Sequence, residues 1–534
     1  MSHSPQPRWL AVVAGLSAIL VTGCPSPDPK SQSSTSASVS TSKAPAPVLP
    51  ATPPVPAKPT DCTHRGKGRD FAVGPGQKLA QLEDVPFESL KAGDTVRIHY
   101  RPEPYRSKLM IGGQGTADQP IRICGVAGPE GQLPVIDGKD AVTKRGLEFP
   151  YDGHQPRGLV VVGHRHDEPW LFQPQHFVIE GLELRNASHE LSFTDNKGEK
   201  RQYSRNAAAI YVQRADHVTI RGCDVHANQT ALFIGGGGGP EVTHHVRILE
   251  NHIHDNGSAT DFYEHNVYNE AVDVLYERNW LESPRGGPQG VLGANIKERS
   301  AGVVIRYNWI EDGSHLLDLV DAQEAKHDTR QLPEFHTTYV YGNVFVRRGP
   351  SGSMIHYGGD SEQYEDYRKG TLFFFNNTVV VFNRGYPDYA RTEVFELSTN
   401  DEKLVSFNNV YWSAVAPTAE RPIVLLGSRD GLTAGRGSFD HDWIAQGWQP
   451  ADARPDIRVT AEVKGVEAAT RGDEPGFENA EAGDFAPTAS SPLRGGGRPP
   501  PAELPAAHHL AQRYVKHRQS APRADAGKTI GALE

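Results

Sequence analysis

The stretch VVIRYNWI, Val303 to Ile310, decides the fold because its pattern returns along the chain. Each repeat is a short run of β-forming residues, then usually an asparagine, then an apolar residue two places further on. Matching runs are FVIEGLEL, VTIRGCDV, VRILENHI, VLYERNWL, YVYGNVF, LFFFNNTV and LVSFNNVY. The repeated asparagines are Asn251, Asn279, Asn308, Asn343, Asn377 and Asn409, with spacings of 28, 29, 35, 34 and 32 residues. Such spacing predicts a stack of similar coils.

The repeated asparagine has a physical use in such a stack. Asparagine tolerates left-handed backbone at a bend, and its amide both donates and accepts hydrogen bonds. Stacked coils lie about 4.8 Å apart, so the amides are predicted to bond one another along the stack. This ladder resembles right-handed parallel β-helix proteins. Cys223 stands at the ladder position, 28 residues before Asn251, and is predicted to be a buried, unreactive residue.

The resemblance implies an all-β fold class, a right-handed parallel β-helix (solenoid) with a short N-terminal capping helix and an irregular C-terminal segment. The opening FAVGPGQKLAQLEDVPFESLKAGDTVRIHY resembles a strand, a covering helix and a first coil strand, and the terminal TIGALE resembles a closing segment. A cap of this kind shields the open edge of a solenoid. The glycine run FIGGGGGP is predicted to be a turn, since a phosphate loop would need a following helix and Lys-Ser/Thr.

The first residues predict a lipoprotein. Arg8 precedes an apolar core of 13 residues, LAVVAGLSAILVT, which is too short to span a bilayer and is typical of a signal peptide. The following VTGC resembles the lipobox of bacterial lipoproteins, which implies cleavage after Gly23 and lipid on Cys24. The alternative is an ordinary secretory signal cut nearby. Pro25 and Ser26 follow without the aspartate of an inner-membrane retention signal, so the outer membrane or cell surface is expected.

These resemblances, together with the composition of the tether, divide the chain into four segments. We predict a signal peptide at 1–23, a disordered tether rich in Pro, Ser, Thr and Ala at 24–60, a parallel β-helix at 61–415 and its C-terminal end and capping segment at 416–534. The 36 tether residues after Cys24 reach up to about 110 Å at roughly 3.1 Å per residue. The net charge of −10 gives no indication of nucleic acid as a partner, and a monomer is expected. Whether Cys62 and Cys124 pair is left open.

Within this fold, NIKERSAGVVIRYNWIEDG resembles a signature of the alginate-lyase-type polysaccharide lyases. In those enzymes a lysine on the strand before the ladder asparagine removes the C5 proton of a uronic acid. The match puts Lys297 at that position, eleven residues before Asn308. Nearby cations such as Arg299 and Arg306 would lower the pKa of a lysine or hold a carboxylate.

The sequence departs from that family on the next coil. The expected Arg-His pair falls on Val320 and Asp321, so the arginine is missing. Alternation predicts Asn295 and Lys297 on the outer face, stacked on Asp318 and Val320, and either His356 or Tyr357 from the following coil. The catalytic candidates are therefore Lys297, Asp318, Asp321 and His356, and the substrate-binding candidates are Arg299, Asn295 and Tyr357.

Metal and hydrolase alternatives stay open. Related lyases bind Ca²⁺ through clustered carboxylates, and the oxygen ligands here would come from Glu270, Asp273, Asp318, Asp321 and Glu324. A transition metal would need the histidines of HHVRILENHIHDNG, namely His244, His245, His252 and His254, although solvated or packed histidines are the expected outcome. Hydrolysis would need a carboxylate pair such as Asp318 with Asp321, or Asp321 with Asp360, and no motif supports it.

Two classes of function remain. The first is a surface-anchored β-helix lipoprotein acting on polysaccharide, a uronate-directed lyase with Lys297 as base. The second is a non-catalytic β-helix lipoprotein that binds glycans, mediates adhesion or supports the envelope. The missing arginine does not decide between the lyase and the non-catalytic protein, because the scaffold is intact in both.

Overall fold

We describe the protein from a computed structural model that covers residues 61–150, 153–236, 242–258, 263–285, 293–348, 352–382, 391–525 and 527–534. All of these residues belong to one compact unit, Pro50–Glu534. The predicted signal peptide, Cys24 and the tether lie outside the described residues. No helix in the described ranges is long and apolar enough to cross a membrane.

Three long sheets, almost entirely parallel, form the described body. Sheet 1 holds Asp70–Val73, Thr95–His99, Ile121–Val126, Gln175–Glu180, Asp216–Arg221, His244–Leu249, Val272–Glu277, Ala301–Arg306, Thr337–Tyr341, Thr371–Phe375, Lys403–Phe407, Arg436–Asp440 and Glu462–Lys464. Sheet 2 holds Val135–Asp137, Glu183–Arg185, Asp224–His226, His252–His254, Trp280–Leu281, Trp309–Glu311, Val344–Arg347, Thr378–Val381, Val410–Ser413, Trp443–Ala445 and Thr470–Gly472. From Ile121–Val126 to Gln449–Ala451, the chain passes through sheet 1, sheet 2 and then sheet 3 in each coil.

The outer face of sheet 3 carries most of the candidate site residues. Its strands are Lys200–Gln202, Ser192–Thr194, Val142–Thr143, Ser107–Ile111, Gly158–Val162, Ala208–Val212, Thr230–Ile234, Val267–Asn269, Ile296–Glu298, Leu317–Leu319, Ser353–Tyr357, Thr392–Leu397, Ile423–Leu426 and Gln449–Ala451. Small two-stranded sheets pair Leu432–Thr433 with Arg458–Val459, Phe477–Asn479 with Asp484–Pro487, and Gln512–Val515 with Gln519–Pro522. The fold is the predicted right-handed parallel β-helix. Its coils continue to Gly472, inside the segment predicted as the C-terminal end.

The core lies between the three sheets, because alternate residues of each strand face inward. In Ala301–Arg306, for example, Val303 and Ile305 are fully buried while Val304 and Arg306 are only partly covered. Ile310 and Leu317 from sheets 2 and 3 belong to the same apolar cluster. Burying the inner faces of successive coils makes one continuous core, so each coil is stabilised by its neighbours.

The predicted asparagine ladder is present. The side-chain N–H of each asparagine donates to the side-chain oxygen of the next at 2.9–3.1 Å, along Asn251, Asn279, Asn308, Asn343, Asn377 and Asn409. Asp442 ends the series by accepting from Asn409 at 3.0 Å. Cys223 begins it: its backbone N–H donates to Asn251, and its thiol is buried, which raises the thiol pKa to about 12. The ladder ties successive coils at the turn between sheets 1 and 2.

The left-handed backbone expected of the ladder asparagine belongs to the residue before it. Glu250, Arg278 and Tyr307 have φ of 57°, 58° and 54°, and Gly342 takes the same place with 67°. Ladder residues themselves are not among the positive-φ residues. The asparagine is therefore selected for its amide, and the preceding residue absorbs the bend.

Short turns and the C-terminal segment cover the solenoid. The predicted N-terminal cap consists of two 3₁₀ helices, Leu82–Asp84 and Phe87–Ser89, and Leu82 and Phe87 are buried. A disulfide joins Cys62 to Cys124. The other helical turns are Lys326–Thr329, which is α-helical, and the 3₁₀ turns Pro333–His336, Tyr364–Asp366, Val466–Ala468, Ala480–Ala482 and Ala506–His508.

The C-terminal residues pack on the outer faces of sheets 1 and 2. His508 stacks on Tyr339 of sheet 1 with ring centres 3.7 Å apart. His517 stacks on Trp280 of sheet 2 at 4.1 Å, and Phe485 lies against Trp309 at 5.5 Å. These contacts cover sheets 1 and 2, and the loops between coils border the outer face of sheet 3.

Candidate functional site

A single column of side chains on the outer face of sheet 3 contains most of the candidate residues. Parallel pairing places Tyr268, Lys297, Asp318, His356 and Glu396 on successive strands, each in register with the next. Because neighbouring strands lie about 4.8 Å apart, every member of this column contacts the one above and below it. We call it the charged column.

Lys297 lies between two carboxylates. Its ammonium forms ion pairs with Asp318, its neighbour in the column, and with Asp360 on the loop after Ser353–Tyr357. The side chains of Lys297 and Asp318 are 9% and 6% exposed, whereas that of Asp360 is 26% exposed. Lys297 therefore has a carboxylate partner on each side in a mostly buried place.

Arg299 binds the same carboxylate as Lys297. Its two terminal nitrogens each lie 3.1 Å from an oxygen of Asp360. The carboxylate of Asp321 accepts the backbone N–H of Asp360 at 2.7 Å, and its carbonyl accepts from Arg299 at 2.5 Å. Asp321 is 1% exposed. It therefore positions the loop and the arginine and does not face the solvent.

A chain of hydrogen bonds leads from Asp318 along the column. Nδ1 of His356 lies 2.8 Å from the second oxygen of Asp318, and Nε2 lies 2.9 Å from the hydroxyl of Ser398. Arg429 reaches the same Nε2 at 3.3 Å and lies 3.7 Å from Glu396. The second oxygen of Glu396 accepts from Ser353 at 2.8 Å.

The pKa shifts in the column follow from these contacts. Burial opposes the charge on Asp318, but Lys297, His315 and His356 outweigh it and hold the pKa of Asp318 well below its usual range. Burial also opposes the charge on His356, yet Glu396 and Asp318 raise its pKa. For Asp360, Lys297 and Arg299 overcome the effect of burial and lower the pKa. Both partners of Lys297 are therefore ionised at neutral pH.

An aromatic cavity adjoins the column. Phe233 and Tyr268 stack with ring centres 4.5 Å apart. With His265 they line a cavity of about 380 Å³, whose other lining residues are Arg205, Asn206, Thr230, Tyr263 and Glu264. Burial and the charge of Lys297 lower the pKa of His265 to about 3, so its imidazole is neutral. Tyr268 is in register with Lys297, which makes the cavity and the charged column one continuous surface.

Two predicted substrate-binding residues are placed wrongly by the sequence pattern. Asn295 does not face outward: it is buried, accepts from Asn266 at 2.9 Å and donates to two backbone carbonyls. Tyr357 is fully buried in the apolar core. The predicted stacking of Lys297 on Val320 is also wrong, because Lys297 pairs with Asp318. Strand Ile296–Glu298 begins after a turn that Asn295 closes, so alternation cannot be extended back through that residue.

The predicted calcium ligands do not form one site. Asp273 lies on sheet 1, where it pairs with Arg247. One oxygen of Glu270 accepts three backbone N–H groups at 2.7–3.0 Å, and Glu324 accepts that of Gly236 at 3.1 Å. Asp318 is already bound to Lys297 and His356. Oε2 of Glu270 is buried without a hydrogen-bond partner among the described residues, but the candidates lie on different sheets and loops and do not match a cage of six to eight oxygens around Ca²⁺.

The sequence missed Arg429, Glu396 and Ser398. Glu396 lies in FELS, on the fifth strand of the column, where nothing in the local pattern marks it. Arg429 comes from a turn 73 residues after His356, so only the coil register brings it to the site. The arginines that reach the column are Arg299 and Arg429.

No protein-family model and no curated protein matches this chain. Solved structures that resemble it include an alginate lyase from Paenibacillus sp. str. FPU-7, with 12% identity, a TM-score of 0.33, and coverage of 71% of this chain and 95% of that chain. The pectate lyase Pel9A matches with 10% identity and a TM-score of 0.42 over 89% of this chain and all of that chain. A lacto-N-biosidase from Eubacterium ramulus has 13% identity, a TM-score of 0.38, and coverage of 75% and 67%. Identities and scores this low transfer no activity.

Proposed function

We propose that this protein acts on a uronate-containing polysaccharide, as a lyase whose base is Lys297. The observation that carries the proposal is the carboxylate of Asp360, which Lys297 and Arg299 bind together. A uronic acid offers the same planar carboxylate, and a guanidinium with a lysine beside it is a suitable receptor for it. Asp360 is the most exposed acid of this group, so a substrate carboxylate can replace it.

The remaining steps of a β-elimination can be assigned to residues of the column. Lys297, in its neutral form, takes the C5 proton; the electron pair forms the C4–C5 double bond, the C4–O bond breaks, and the protonated Lys297 gives that proton to the leaving oxygen. Asp318 touches both Lys297 and His356, so it gives Lys297 a hydrogen-bonded route for exchanging its proton. Arg299 holds the substrate carboxylate and stabilises the negative charge that develops next to C5.

The aromatic cavity supports a sugar substrate. Phe233 and Tyr268 offer ring faces to a pyranose, while Arg205, Asn206 and Thr230 offer polar contacts for its hydroxyls. Since the cavity is continuous with the charged column, a polymer can occupy both.

The proposal is tested by incubating the folded body, residues 61–534, with a panel of uronate polymers and following the ultraviolet absorbance of unsaturated uronides. Lys297→Ala is expected to lower the rate by about 10²–10⁴-fold, the usual contribution of a positioned base. Lys464→Ala, at a lysine whose side chain is 80% exposed, is the matched control. Absence of product on every polymer from wild type would refute the lyase.

A second function is favoured by the pairing of Lys297. Both carboxylates bind the nitrogen that a lyase would use as its base, and this arrangement suits a β-helix that binds glycan without cleaving it. Such a protein would bind oligouronates in calorimetry while releasing no product. The two functions therefore differ in the absorbance assay and agree in the binding assay.

We further propose that the mature chain is anchored at the cell surface or outer membrane through lipid on Cys24. Support comes from the signal-like start and the VTGC motif. A body held by a tether of up to about 110 Å can reach polymers away from its membrane.

A further inference from the structure

A second cluster of functional groups lies on the outer face of sheet 2, away from the charged column. It consists of Asp224, His252 and His254, whose potential ligand atoms all lie within 4.8 Å of one another. His252 is paired with Asp224 across adjacent strands, and His254 follows two residues later on the same face. Strand geometry therefore aims all three side chains at one point.

The nitrogen that each histidine presents to Asp224 is well defined. Nδ1 of His252 lies 3.4 Å from one oxygen of Asp224, and Nε2 of His254 lies 3.1 Å from the other. The two rings are stacked with centres 4.1 Å apart. Tetrahedral Zn²⁺ with bonds of about 2.0–2.1 Å needs ligand atoms about 3.3 Å apart. The two contacts to Asp224 are already near that spacing, and all ligand atoms lie within 4.8 Å of one another, so metal binding would draw them closer together.

The other nitrogen of each histidine contacts its own carboxylate. Nε2 of His252 lies 2.6 Å from Glu282, and Nδ1 of His254 lies 2.7 Å from Asp255. Metal-bound histidines commonly donate their second N–H to a carboxylate, which fixes the tautomer and orients the ring. A carboxylate behind both histidines is a second feature, independent of the cluster itself, that points to a metal ligand.

We propose that Asp224, His252 and His254 bind a divalent transition-metal ion, with Zn²⁺ as the best fit to two imidazoles and one carboxylate. Three protein ligands leave a fourth position for water. The side chains of Asp224 and His254 are 30% and 20% exposed, so the ion has a path from solvent. Arg518 of the C-terminal hairpin interacts electrostatically with Asp224, and this cation competes with the metal.

A comparable cluster on sheet 1 provides the control. Asp216, His217 and His245 are also close together, but both histidines use Nδ1 to contact the same oxygen of Asp216, at 2.8 and 2.7 Å. His245 has a carboxylate, Asp273, only at 3.9 Å from its other nitrogen. The cluster on sheet 1 lacks a close carboxylate behind each histidine. We therefore expect it to bind metal more weakly than the cluster on sheet 2.

The test uses the untagged body, residues 61–534, dialysed against buffered Zn²⁺ and analysed for bound metal, with Co²⁺ absorption to report the coordination. Wild type is expected to bind one tight ion per chain, and His254→Gln and Asp224→Asn are expected to lose it. His217→Gln should keep it. Glu282→Gln, which leaves the ligands in place, should weaken binding about 10–100-fold, and Arg518→Gln should strengthen it.

Three outcomes of this metal analysis would overturn the proposal. Equal metal in wild type and Asp224→Asn would mean that the cluster is not the site, and loss of the ion in His217→Gln alone would move it to sheet 1. No tight ion in wild type would also refute it. Circular dichroism of each variant in chelator separates loss of metal from loss of fold.

Discussion

At the residue scale, Asp360 is the most informative side chain of the charged column. Asp360 forms ion pairs with both Lys297 and Arg299, so it competes with any substrate carboxylate for these two cations. We expect Asp360→Asn to bind an oligouronate about tenfold more tightly, as measured by calorimetry, because one competing charge is removed at a partly buried site. Asp118→Asn is the control, since it changes the net charge equally at an exposed position. Equal affinities for the two variants would show that Asp360 is not a competitor.

His356 makes the stability of the column depend on pH. Glu396 and Asp318 raise its pKa against the effect of burial, so the folded state binds a proton more tightly than the unfolded state. The stabilisation is complete below the unfolded pKa of about 6.5 and is lost as pH rises through the folded value. Denaturant unfolding should therefore show that His356→Gln costs more stability at acidic than at alkaline pH.

The control for that measurement is His441→Gln, at a histidine whose side chain is 53% exposed. Its cost is expected to vary less with pH. A His356→Gln cost that is constant across the range, or that grows as pH rises, would contradict the assigned direction of the pKa shift.

At the element scale, the asparagine ladder joins the coils. The side-chain oxygen of Asn308 accepts two N–H groups of Asn279, and its own amide donates to Asn343. Asn308→Ala leaves buried groups of both neighbours unpaired, each costing about 1–3 kcal/mol. We expect the free energy of unfolding to fall by about 3 kcal/mol in denaturant titrations, and the exposed Asn206→Ala to change it by less than about 0.5 kcal/mol. A loss below about 1 kcal/mol for Asn308→Ala would mean that the ladder is not a main tie between coils.

The sequence could predict the features that are local and repeat in every coil, but not the contacts between distant turns. The ladder and the strands beside it are local and repeat, so Asn308, Val303 and the burial of Cys223 followed from spacing alone. Outer-face residues depend on where each strand begins, and the bend at Asn295 breaks the alternation there, which misplaced Asn295; for Ser353–Tyr357 the pattern did not say whether His356 or Tyr357 faces outward. Arg429 was missed because a distant turn supplies it, and no local pattern reports which loops meet across coils.

At the scale of the whole molecule, the proposed anchor would decide where the site works. Lipid on Cys24 would hold the chain at a membrane, with the body carried on residues 25–60. We expect Cys24→Ala to move the protein from the membrane fraction to the soluble fraction, because the proposed lipid on Cys24 is the attachment to the membrane.

The measurement is fractionation of cells that express the full chain, followed by mass analysis of the mature N-terminus. Ser26→Ala, two residues further on, is the matched control and should stay in the membrane fraction. An unmodified N-terminus with wild type in the soluble fraction would identify an ordinary secretory signal. That outcome would leave the charged column and its chemistry unchanged, because both depend on coil register within residues 61–534 and not on the anchor.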